Sequence, residues 1–406
     1  MALRPSPLLP LTNAALALHA RDKDPQRAWN ALAKTCMDQH GLVPTGPCAV
    51  ALKRLLEAYA ADPDLSPMGW YSAQHVQVGP RLRNLALVQT QIQAQPDIAL
   101  ENVADVVVVA GLPRTATTVA HQMLAAAAGH RGTLMAEMYE TRTRYPDWEA
   151  QVARAQRQIT MLGRYEPWFT RDIHPMDATA SEETFFCEVA SVFFMCSAAL
   201  PGYRAWLAAQ DPTPYYQWIK QVLQVLQYGK ARRRWVIKQP AHLWHLDTIR
   251  KVFPRATIVW THRDPATVFG SACSMIEAMR RMHLRRAAFN RDGLQHLGGT
   301  WLSLLAEGVE RARTARAALP GDAVVDVAYH RLVQNPAAEM QALFHRLDMD
   351  WTPEDAARVD QHFHRRPARR PHEYSPLRYL EHPAQIDDAF GDYPQLVHRL
   401  NAGATL

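Results

Sequence analysis

Cysteine and long apolar runs are both scarce in this sequence, and each shortage argues against a class of protein. The five cysteines are odd in number and form no C-x-x-C pair, which argues against a disulfide framework or a zinc knuckle and favours a reducing, cytoplasmic compartment. No uncharged apolar run reaches the roughly 18 residues that a membrane span requires. The longest one, 189–200, is expected to form a buried helix, and proline and asparagine interrupt the apolar residues 8–20 too often to predict an export signal.

Lysine is also scarce. Only seven of the 45 basic residues (Lys and Arg) are lysine, and the rest are arginine. Arginine forms planar, bidentate pairs with phosphate and sulfate, so this excess suits a small anionic ligand. The net charge is +6, with both signs mixed along the chain, which argues against a nucleic-acid partner. At 406 residues, with 48% hydrophobic and 21% charged residues, the chain is long enough for one large folded domain or two small ones.

The hydrophobic pattern divides the chain near residue 100. Residues 1–100 hold alanine- and leucine-rich stretches between proline and glycine breaks, which predicts a helical N-terminal cap. From 101 to 406, β-branched runs alternate with helical patterns, which is typical of an α/β domain. We expect a parallel, P-loop-type sheet of about five strands flanked by helices. The strand-like runs are 106–110, 133–135, 235–237, 256–260 and 323–327, and a helical insertion is expected at about 140–230.

The turn after the first strand combines residue types that bind anions. Gly111–Thr118 joins a buried strand to a helix and contains one arginine and three threonines. In such a turn, successive backbone N–H groups point into a concavity at the helix N-terminus, where a tetrahedral dianion fits. A nucleoside-triphosphate loop has glycine and lysine where this turn has Ala116 and Thr117, so a small-molecule kinase is the less favoured alternative. Asp326, the nearest acid near a later strand end, falls inside the strand pattern, and the sequence predicts no metal site.

Two later strands end in cationic residues. Lys238 ends one predicted strand and Arg263 ends the next. Because the carboxyl ends of parallel strands lie at one edge of the sheet, both side chains are expected beside the turn at 111–118. Asp264 and the proline after it are predicted to begin a helix, as an N-cap and a first-turn proline. Ser271 lies in that helix, eight residues after Arg263, and the two reach one anion if the strand end folds back beside the helix.

These motifs together resemble those of sulfotransferases that use 3′-phosphoadenosine 5′-phosphosulfate (PAPS), and most closely a bacterial branch of that family. The branch pattern G-x-P-R-[ST]-G-T-T is similar to Gly111–Thr118, K-S-P-x-H-L to Lys238–Leu243, and H-R-D-P to His262–Pro265, with Ser271 at the family spacing. The resemblance runs from about residue 80 to 380. It implies an enzyme that moves a sulfuryl group from PAPS to a hydroxyl or amine of a small molecule or glycolipid.

The resemblance implies that the turn holds the 5′-phosphosulfate of PAPS. The residues concerned are Arg114, Thr115, Ala116, Thr117 and Thr118. Lys238 would reach the bridging oxygen, where its charge and that of Arg114 stabilise the leaving group. Positioning and cationic donors do most of the work in such an in-line transfer, so no metal is expected.

The other end of the donor would be held by residues that lie later in the chain. The resemblance implies that Arg263 and Ser271 bind the 3′-phosphate and that Tyr329 lies beside the nucleoside. A basic C-terminal loop at about 364–374 would assist through Arg369. These positions complete the site that the sequence predicts.

Three residues are candidates for the base that takes the acceptor's proton. Glu137 ranks first because it follows the strand-like run 133–135, and in some sulfotransferases a glutamate in a similar place is the base. His242 ranks second, four residues after Lys238, since an imidazole suits proton transfer. Glu183 ranks lower, because the serine and acids around it are typical of the start of an apolar helix.

Two features leave alternatives open. Ala116 stands where the family has glycine, which strains the turn if that position needs a positive φ, and Gln239 stands where the family has serine. The alternative function is a non-catalytic or repurposed nucleotide-binding protein on the same scaffold. The aromatic stretch 185–194 is expected to be core, with a lipophilic acceptor pocket as the other interpretation, and self-association into a homo-oligomer is left open.

Overall fold

The computed structural model describes residues 6–19, 22–364 and 375–403. Five parallel strands form one sheet in the order β2-β3-β1-β4-β5. Their bounds are β1 (Val106–Gly111), β2 (His130–Gly132), β3 (Arg234–Lys238), β4 (Thr257–His262) and β5 (Val324–Ala328). Helices flank the sheet, so the predicted fold class, an α/β protein with a parallel sheet of about five strands, is confirmed.

The sheet is buried on both faces, as the unbroken β-branched run of β1 predicts. Successive side chains of a strand point to opposite faces. Val106 and Val108 therefore pack into one core, and Val107 and Val109 pack into the other. All four side chains are fully buried.

The N-terminal cap is helical, and it shares the larger of the two cores with the sheet. Its helices are α1 (Leu8–His19), α2 (Pro25–His40), α3 (Pro47–Ala61), α4 (Pro67–Ser72) and α5 (Gly79–Ala94), with a π-helical turn at Ala73–Val78 and a 3₁₀ turn at Pro96–Leu100. Asp24 begins α2 because its Oδ1 accepts hydrogen bonds from the backbone N–H groups of residues 26 and 27. The division into a cap and an α/β domain stays a prediction.

The middle of the chain is helical at both ends and irregular between them. Its helices are α6 (Thr117–Ala126), α7 (Met135–Tyr139), α8 (Trp148–Tyr165), α9 (Pro201–Ala208) and α10 (Thr213–Gln227), with a π-helical turn at Phe169–Ile173. Between α8 and α9 the described chain also holds two 3₁₀ turns, Thr184–Phe186 and Val192–Cys196. The predicted helix over 189–200 is therefore wrong, because this stretch contains only a short 3₁₀ turn, although it is largely buried as expected. It ends at Leu200, which adopts a left-handed conformation with a φ of 46° before a proline.

The last third of the described chain supplies the edge strand β5 and the helices that pack against it. Its helices are α11 (Leu246–Val252), α12 (Pro265–His283), α13 (Arg291–Ala317), α14 (Tyr329–Gln334), α15 (Pro336–Arg346), α16 (Pro353–His364), α17 (Ala384–Phe390) and α18 (Tyr393–Asn401), with 3₁₀ turns at Pro240–His245, Arg286–Phe289 and Pro376–Arg378. Asp264 caps α12 as predicted, since its Oδ1 accepts the N–H of Thr267 at 2.8 Å. Among the described helices, none is long and apolar enough to span a membrane.

Candidate active site

The turn after β1 has the backbone geometry of an anion cradle. Gly111 leaves no space for a side chain, because a Cβ there would lie 2.2 Å from Thr261 Oγ1. Arg114 and Ala116 both adopt the left-handed conformation, with φ angles of 71° and 68°. Left-handed residues set between ordinary ones turn backbone N–H groups toward one concavity. Position 116 therefore does need a positive φ, which strains an alanine.

The three threonines of the cradle have different surroundings. Thr115 is fully buried, and its hydroxyl donates to Leu112 O at 2.7 Å and lies 2.6 Å from Thr261 Oγ1. The side chain of Thr115 therefore stabilises the turn. Thr117, the first residue of α6, is also buried. Thr118 is half-buried, and its Oγ1 lies 3.3 Å from Lys238 Nζ. Of the three, Thr118 is the one whose hydroxyl contacts another of the predicted site residues.

The structure brings four other predicted site residues into one contact chain. Arg114 Nε donates to Ser271 Oγ at 3.2 Å, although 157 positions separate them. Arg263 donates from Nη1 to the carbonyl oxygen of Arg114 at 2.8 Å, and its guanidinium lies 3.9 Å from the ring centre of Tyr329. These contacts form because β1, β4 and β5 end at the same edge of the sheet. Arg369 lies outside the described residues.

Lys238 is the centre of the charged part of the site. Its side chain is completely buried at the end of β3. Its ammonium group forms an ion pair with Glu183 and lies 3.9 Å from Glu182 Oε1. Burying a charge without partners is costly, so these two carboxylates account for a buried ammonium at this position.

No local sequence pattern predicts how Glu183 reaches this place. The predicted strand 133–135 is wrong, since β2 ends at Gly132. The run pairs instead with 180–182 in an antiparallel bridge, with Met135 N donating to Ala180 O at 3.2 Å and the N–H of Glu182 donating to Thr133 O at 2.9 Å. That pairing brings the two acids to Lys238. Glu183 does precede a 3₁₀ turn, but its side chain makes no capping bond there.

A histidine that the sequence did not single out supports the second acid. His174 Nε2 lies 3.1 Å from Glu182 Oε2, and both side chains are largely buried. Burial acts against both charged forms, but their attraction outweighs it, raising the pKa of His174 and lowering that of Glu182 well below its usual range. His174, Glu182 and Glu183 also have the spacing of metal ligands. The Lys238 ammonium already supplies positive charge beside both acids, and the expectation of no metal stays a prediction.

Glu137 lies in a different environment from Lys238. Its carboxylate oxygens accept two hydrogen bonds from Arg131, at 2.7 and 2.6 Å, and one from the backbone N–H of Leu134 at 3.1 Å. The last bond caps α7, as a glutamate in the first helical turn commonly does. Glu137 thus has structural partners for both oxygens, and it lines an open surface groove with Tyr145 and Lys230.

His242 is close to Lys238 but buried behind it. Its Nδ1 lies 3.0 Å from the hydroxyl of Tyr216 and its Nε2 lies 3.4 Å from Thr184 Oγ1. Burial lowers the pKa of His242 to about 3, and the nearby positive charge of Lys238 contributes. Thr184 also donates to Glu188 Oε1 at 2.8 Å, and burial raises the pKa of Glu188 to about 7. This network is buried, so His242 is neutral and without direct access to solvent.

The histidine of the H-R-D-P motif has a structural role. His262 is fully buried, and its Nε2 lies 2.9 Å from Asp326 Oδ1. Arg316 holds the same carboxylate with two hydrogen bonds of 2.6 and 2.8 Å. Asp326 is therefore used in joining β4 to β5 and α13, which explains an acid inside a buried strand.

The fold and the cradle define an α/β protein of the P-loop-like class. A profile of the sulfotransferase family matches residues 106–353, more than half of the chain. The chain therefore belongs to the sulfotransferase family, and the recognition made from its motifs is confirmed.

Individual relatives agree with this membership. Two curated proteins, each named omega-hydroxy-beta-dihydromenaquinone-9 sulfotransferase Stf3, from Mycobacterium bovis and Mycobacterium tuberculosis, are 24% identical over 179 residues, 39% of this chain. The match spans 44% of the length of each. The crystal structure of sulfotransferase STF1 from Mycobacterium tuberculosis superposes with a TM-score of 0.76 at 25% identity, covering 89% of this chain and 98% of that one. The crystal structure of STF9 from Mycobacterium avium gives a TM-score of 0.77 at 22% identity, covering 90% and 96%, which shows a shared fold.

Proposed function

We propose that this protein transfers a sulfuryl group from PAPS to the hydroxyl or amine of a small molecule or glycolipid. Membership of the sulfotransferase family supports this function. The observation that carries it is the meeting of Lys238 with Thr118 of the cradle and with the carboxylate of Glu183. Together they supply an anion cradle, a cation and a base at one sheet edge.

The residues present fit a sulfated nucleotide. The left-handed conformations of Arg114 and Ala116 turn backbone N–H groups toward one concavity, and the N-terminus of α6 adds positive potential. We propose that residues 114–118 hold the 5′-phosphosulfate and that Arg263 and Ser271 hold the 3′-phosphate. Tyr329, in contact with the Arg263 guanidinium, would lie beside the nucleoside, and Arg369 would assist from the basic loop. PAPS supplies an activated sulfuryl group with a phosphate leaving group.

We propose that Lys238 exchanges partners during the reaction. Its ammonium group pairs with Glu183 in the structure and also donates to Thr118 Oγ1 at 3.3 Å. Moving Lys238 toward the cradle would place its charge where the leaving group becomes negative. The same movement would free the carboxylate of Glu183.

Glu183 is our proposal for the base, ahead of the other two candidates. About a fifth of its side chain is exposed, against 6% for that of Glu137. Glu137 is held by Arg131 and lies away from Lys238, and His242 is enclosed in a buried network. A base must reach the acceptor's proton directly or through one water, and Glu183 meets that requirement best.

We also propose a class of acceptor and a cellular location for the reaction. The matched relatives carry the name of a menaquinone-derived lipid sulfotransferase, which supports a lipophilic hydroxyl compound as acceptor. The stretch 185–194 packs largely with the core, with Phe185 and Phe186 half-buried, and its residues 188–192 also line a small cavity with Tyr216 and His245. All five cysteines lie in the described part of the chain and are free thiols, which supports a cytoplasmic location.

The function is tested by following radioactive sulfur from labelled PAPS into a bacterial lipid extract and a panel of small alcohols and amines. We expect a labelled product with the wild-type protein. Lys238→Met should lower the rate by about 10²- to 10³-fold, because it removes a cation from the transition state. Lys251→Met, an exposed lysine on α11, is the matched control and should act as wild type. PAP binding without any labelled product would favour the non-catalytic alternative.

The base is tested by three glutamine variants under the same conditions. Glu183→Gln should lower kcat by about 10²-fold or more, because it removes the group that takes the acceptor's proton. Glu137→Gln and His242→Gln should both keep a kcat close to that of the wild type. A large loss of kcat in Glu137→Gln with little change in Glu183→Gln would restore Glu137 as the base.

A further inference from the structure

The outward face of α1 is apolar along its whole described length. Leu8, Leu11 and Leu18 are 46%, 69% and 73% exposed, whereas Leu9 is buried. The exposed leucines recur at the spacing of one helical face, and the alanines between them are small. Residues 8–18 include no charged side chain. An uncharged helix with its leucines in water is unusual for a protein surface that has no partner.

Exposed apolar side chains are concentrated around this helix. Eleven large hydrophobic side chains are exposed in the described chain. Five of them lie on α1 and on the two helices that pack against it, α4 and α8. Besides the three leucines, they are Tyr71 and Met161. The packing is direct, since Thr12 Oγ1 lies 3.3 Å from the Tyr165 hydroxyl at the end of α8 and Asn13 accepts the N–H of Met68 at 2.9 Å.

Positive charge borders the apolar face. On α8, Arg157, Met161 and Arg164 are all exposed, and spacings of four and three residues place them on one face of the helix. Arg164 Nη1 lies 3.7 Å from Met161 Sδ. The acid nearest to them in sequence is Glu166, just after the end of α8, and its side chain is buried. The α1 face together with Arg157, Met161 and Arg164 is called the α1 patch below.

We propose that the α1 patch docks on the surface of an anionic lipid bilayer. An apolar helix face bordered by arginines matches a membrane interface, where the leucines enter the acyl boundary and the arginines meet phosphate headgroups. The charge argues against a second copy of this chain, because residues 8–18 and 157–164 contain no acid that could pair with the arginines of another α1 patch. Tyr71 adds an amphipathic ring of the type enriched at such interfaces.

The chain segment 165–174 connects the α1 patch with the active site. Tyr165 contacts α1, and eight residues later the carbonyl oxygen of Ile173 accepts a hydrogen bond of 2.9 Å from Arg114 in the cradle. His174 then pairs with Glu182. Docking would therefore hold the site close to a lipid surface, which gives a membrane-resident acceptor a short route to it. The docking surface does not depend on the proposed chemistry.

Vesicle flotation with the full chain tests the proposal. The vesicles are phosphatidylcholine alone or phosphatidylcholine with about one-third phosphatidylglycerol. We expect the protein to float with the anionic vesicles. The double variant Leu11→Gln and Leu18→Gln should bind them about tenfold more weakly, because two apolar side chains no longer enter the acyl boundary. Arg157→Gln with Arg164→Gln should weaken binding roughly tenfold and remove the preference for the anionic lipid.

The matched control replaces leucines that are equally exposed elsewhere. Leu100 and Leu377 are 78% and 62% exposed and lie on other elements, so Leu100→Gln with Leu377→Gln should float as wild type does. Equal losses in both leucine variants would overturn the proposal, as would no flotation of the wild type. Light scattering that shows a dimer which Leu11→Gln and Leu18→Gln dissociate would assign the α1 patch to a second copy instead. PAP titration of the same variants reports on the proposed function separately and should not change.

Discussion

Ala116 is the residue at which this chain departs most from the sulfotransferase pattern. It adopts a φ of 68°, a conformation that costs a residue with a Cβ about 1 to 2 kcal/mol. Its amide is nevertheless in the cradle conformation, and Ala120 N donates to its carbonyl oxygen in the first turn of α6. The alanine therefore stores strain in the cradle.

Replacing Ala116 by glycine should stabilise the protein. Glycine adopts positive φ freely, and the relief outweighs its greater freedom in the unfolded chain, so we expect a gain of about 1 kcal/mol in the free energy of unfolding. Denaturant unfolding measures it. The control is Ala153→Gly, at an exposed position inside α8, which should lose about 1 kcal/mol. Destabilisation by both variants would show that position 116 is not strained.

Glu183 and Glu137 show which features of the candidate site a local sequence pattern predicts and which it does not. The meeting of the cationic and hydroxyl candidates at one sheet edge was predictable, because most of them lie at the end of a strand or in a turn that the local pattern identifies, while their roles stay a prediction. The surroundings of Glu183 were not, because they depend on pairing between 133–135 and 180–182, which no local signal announces. Glu137 ranks first as the base because it follows the run 133–135, but its position in the first turn of α7 gives its carboxylate a capping role.

At the scale of elements, two adjacent glycines of α13, Gly298 and Gly299, have opposite surroundings. A Cβ at Gly298 would lie 2.0 Å from the backbone oxygen of Tyr379, whereas a Cβ at Gly299 would meet nothing within 4 Å. The close approach lets the segment after the basic loop pack directly on the helix. This contact fixes the C-terminal segment against the α/β core.

The two glycines offer a prediction with an internal control. Gly298→Ala should destabilise the protein by about 1 to 3 kcal/mol, because backbone has to move to admit the methyl group. Gly299→Ala should stabilise it by roughly 0.5 to 1 kcal/mol, since alanine is the better helix former at an open position. Thermal or urea unfolding of both variants checks this. Similar changes of the same sign would mean that α13 does not contact residue 379 as described.

The elements of the sheet were largely predictable from the sequence. Four β-branched runs gave four strands, because strands buried on both faces need unbroken apolar sequence. The edge strand β2 was placed three residues late, since His130–Gly132 is short and half-buried and lacks that signal. The irregular 174–200 segment was also unpredictable in detail, because its turns are set by contacts with distant residues such as Arg81, which donates to the carbonyl oxygens of Glu188 and Phe185.

At the scale of the whole molecule, buried histidines make stability depend on pH. Burial lowers the pKa of His242 to about 3 and that of His121 to about 4. Both are neutral in the folded protein near neutral pH and take up protons on unfolding below about pH 6.5. The unfolded chain then binds more protons than the folded one, so stability falls as the pH falls through this range.

His242→Gln isolates one such contribution. Between pH 7 and pH 5 the wild-type histidine should account for a loss of about 2 kcal/mol in the free energy of unfolding, and the variant should lack this loss. Urea unfolding at the two pH values measures the difference. His330→Gln, at an exposed position, should keep the wild-type pH dependence. The same dependence in wild type and His242→Gln would contradict a neutral, buried His242.

The central claim is that the carboxyl edge of the sheet binds the PAPS nucleotide, and calorimetric titration with PAP tests it most directly. We predict a micromolar dissociation constant, about −8 kcal/mol, for the wild type. Arg263→Ala should lose most of this affinity, while Arg291→Ala, an exposed arginine at the start of α13, should retain it. ATP with Mg²⁺ should bind more weakly than PAP. No binding of PAP, or tighter binding of ATP with Mg²⁺, would contradict the claim.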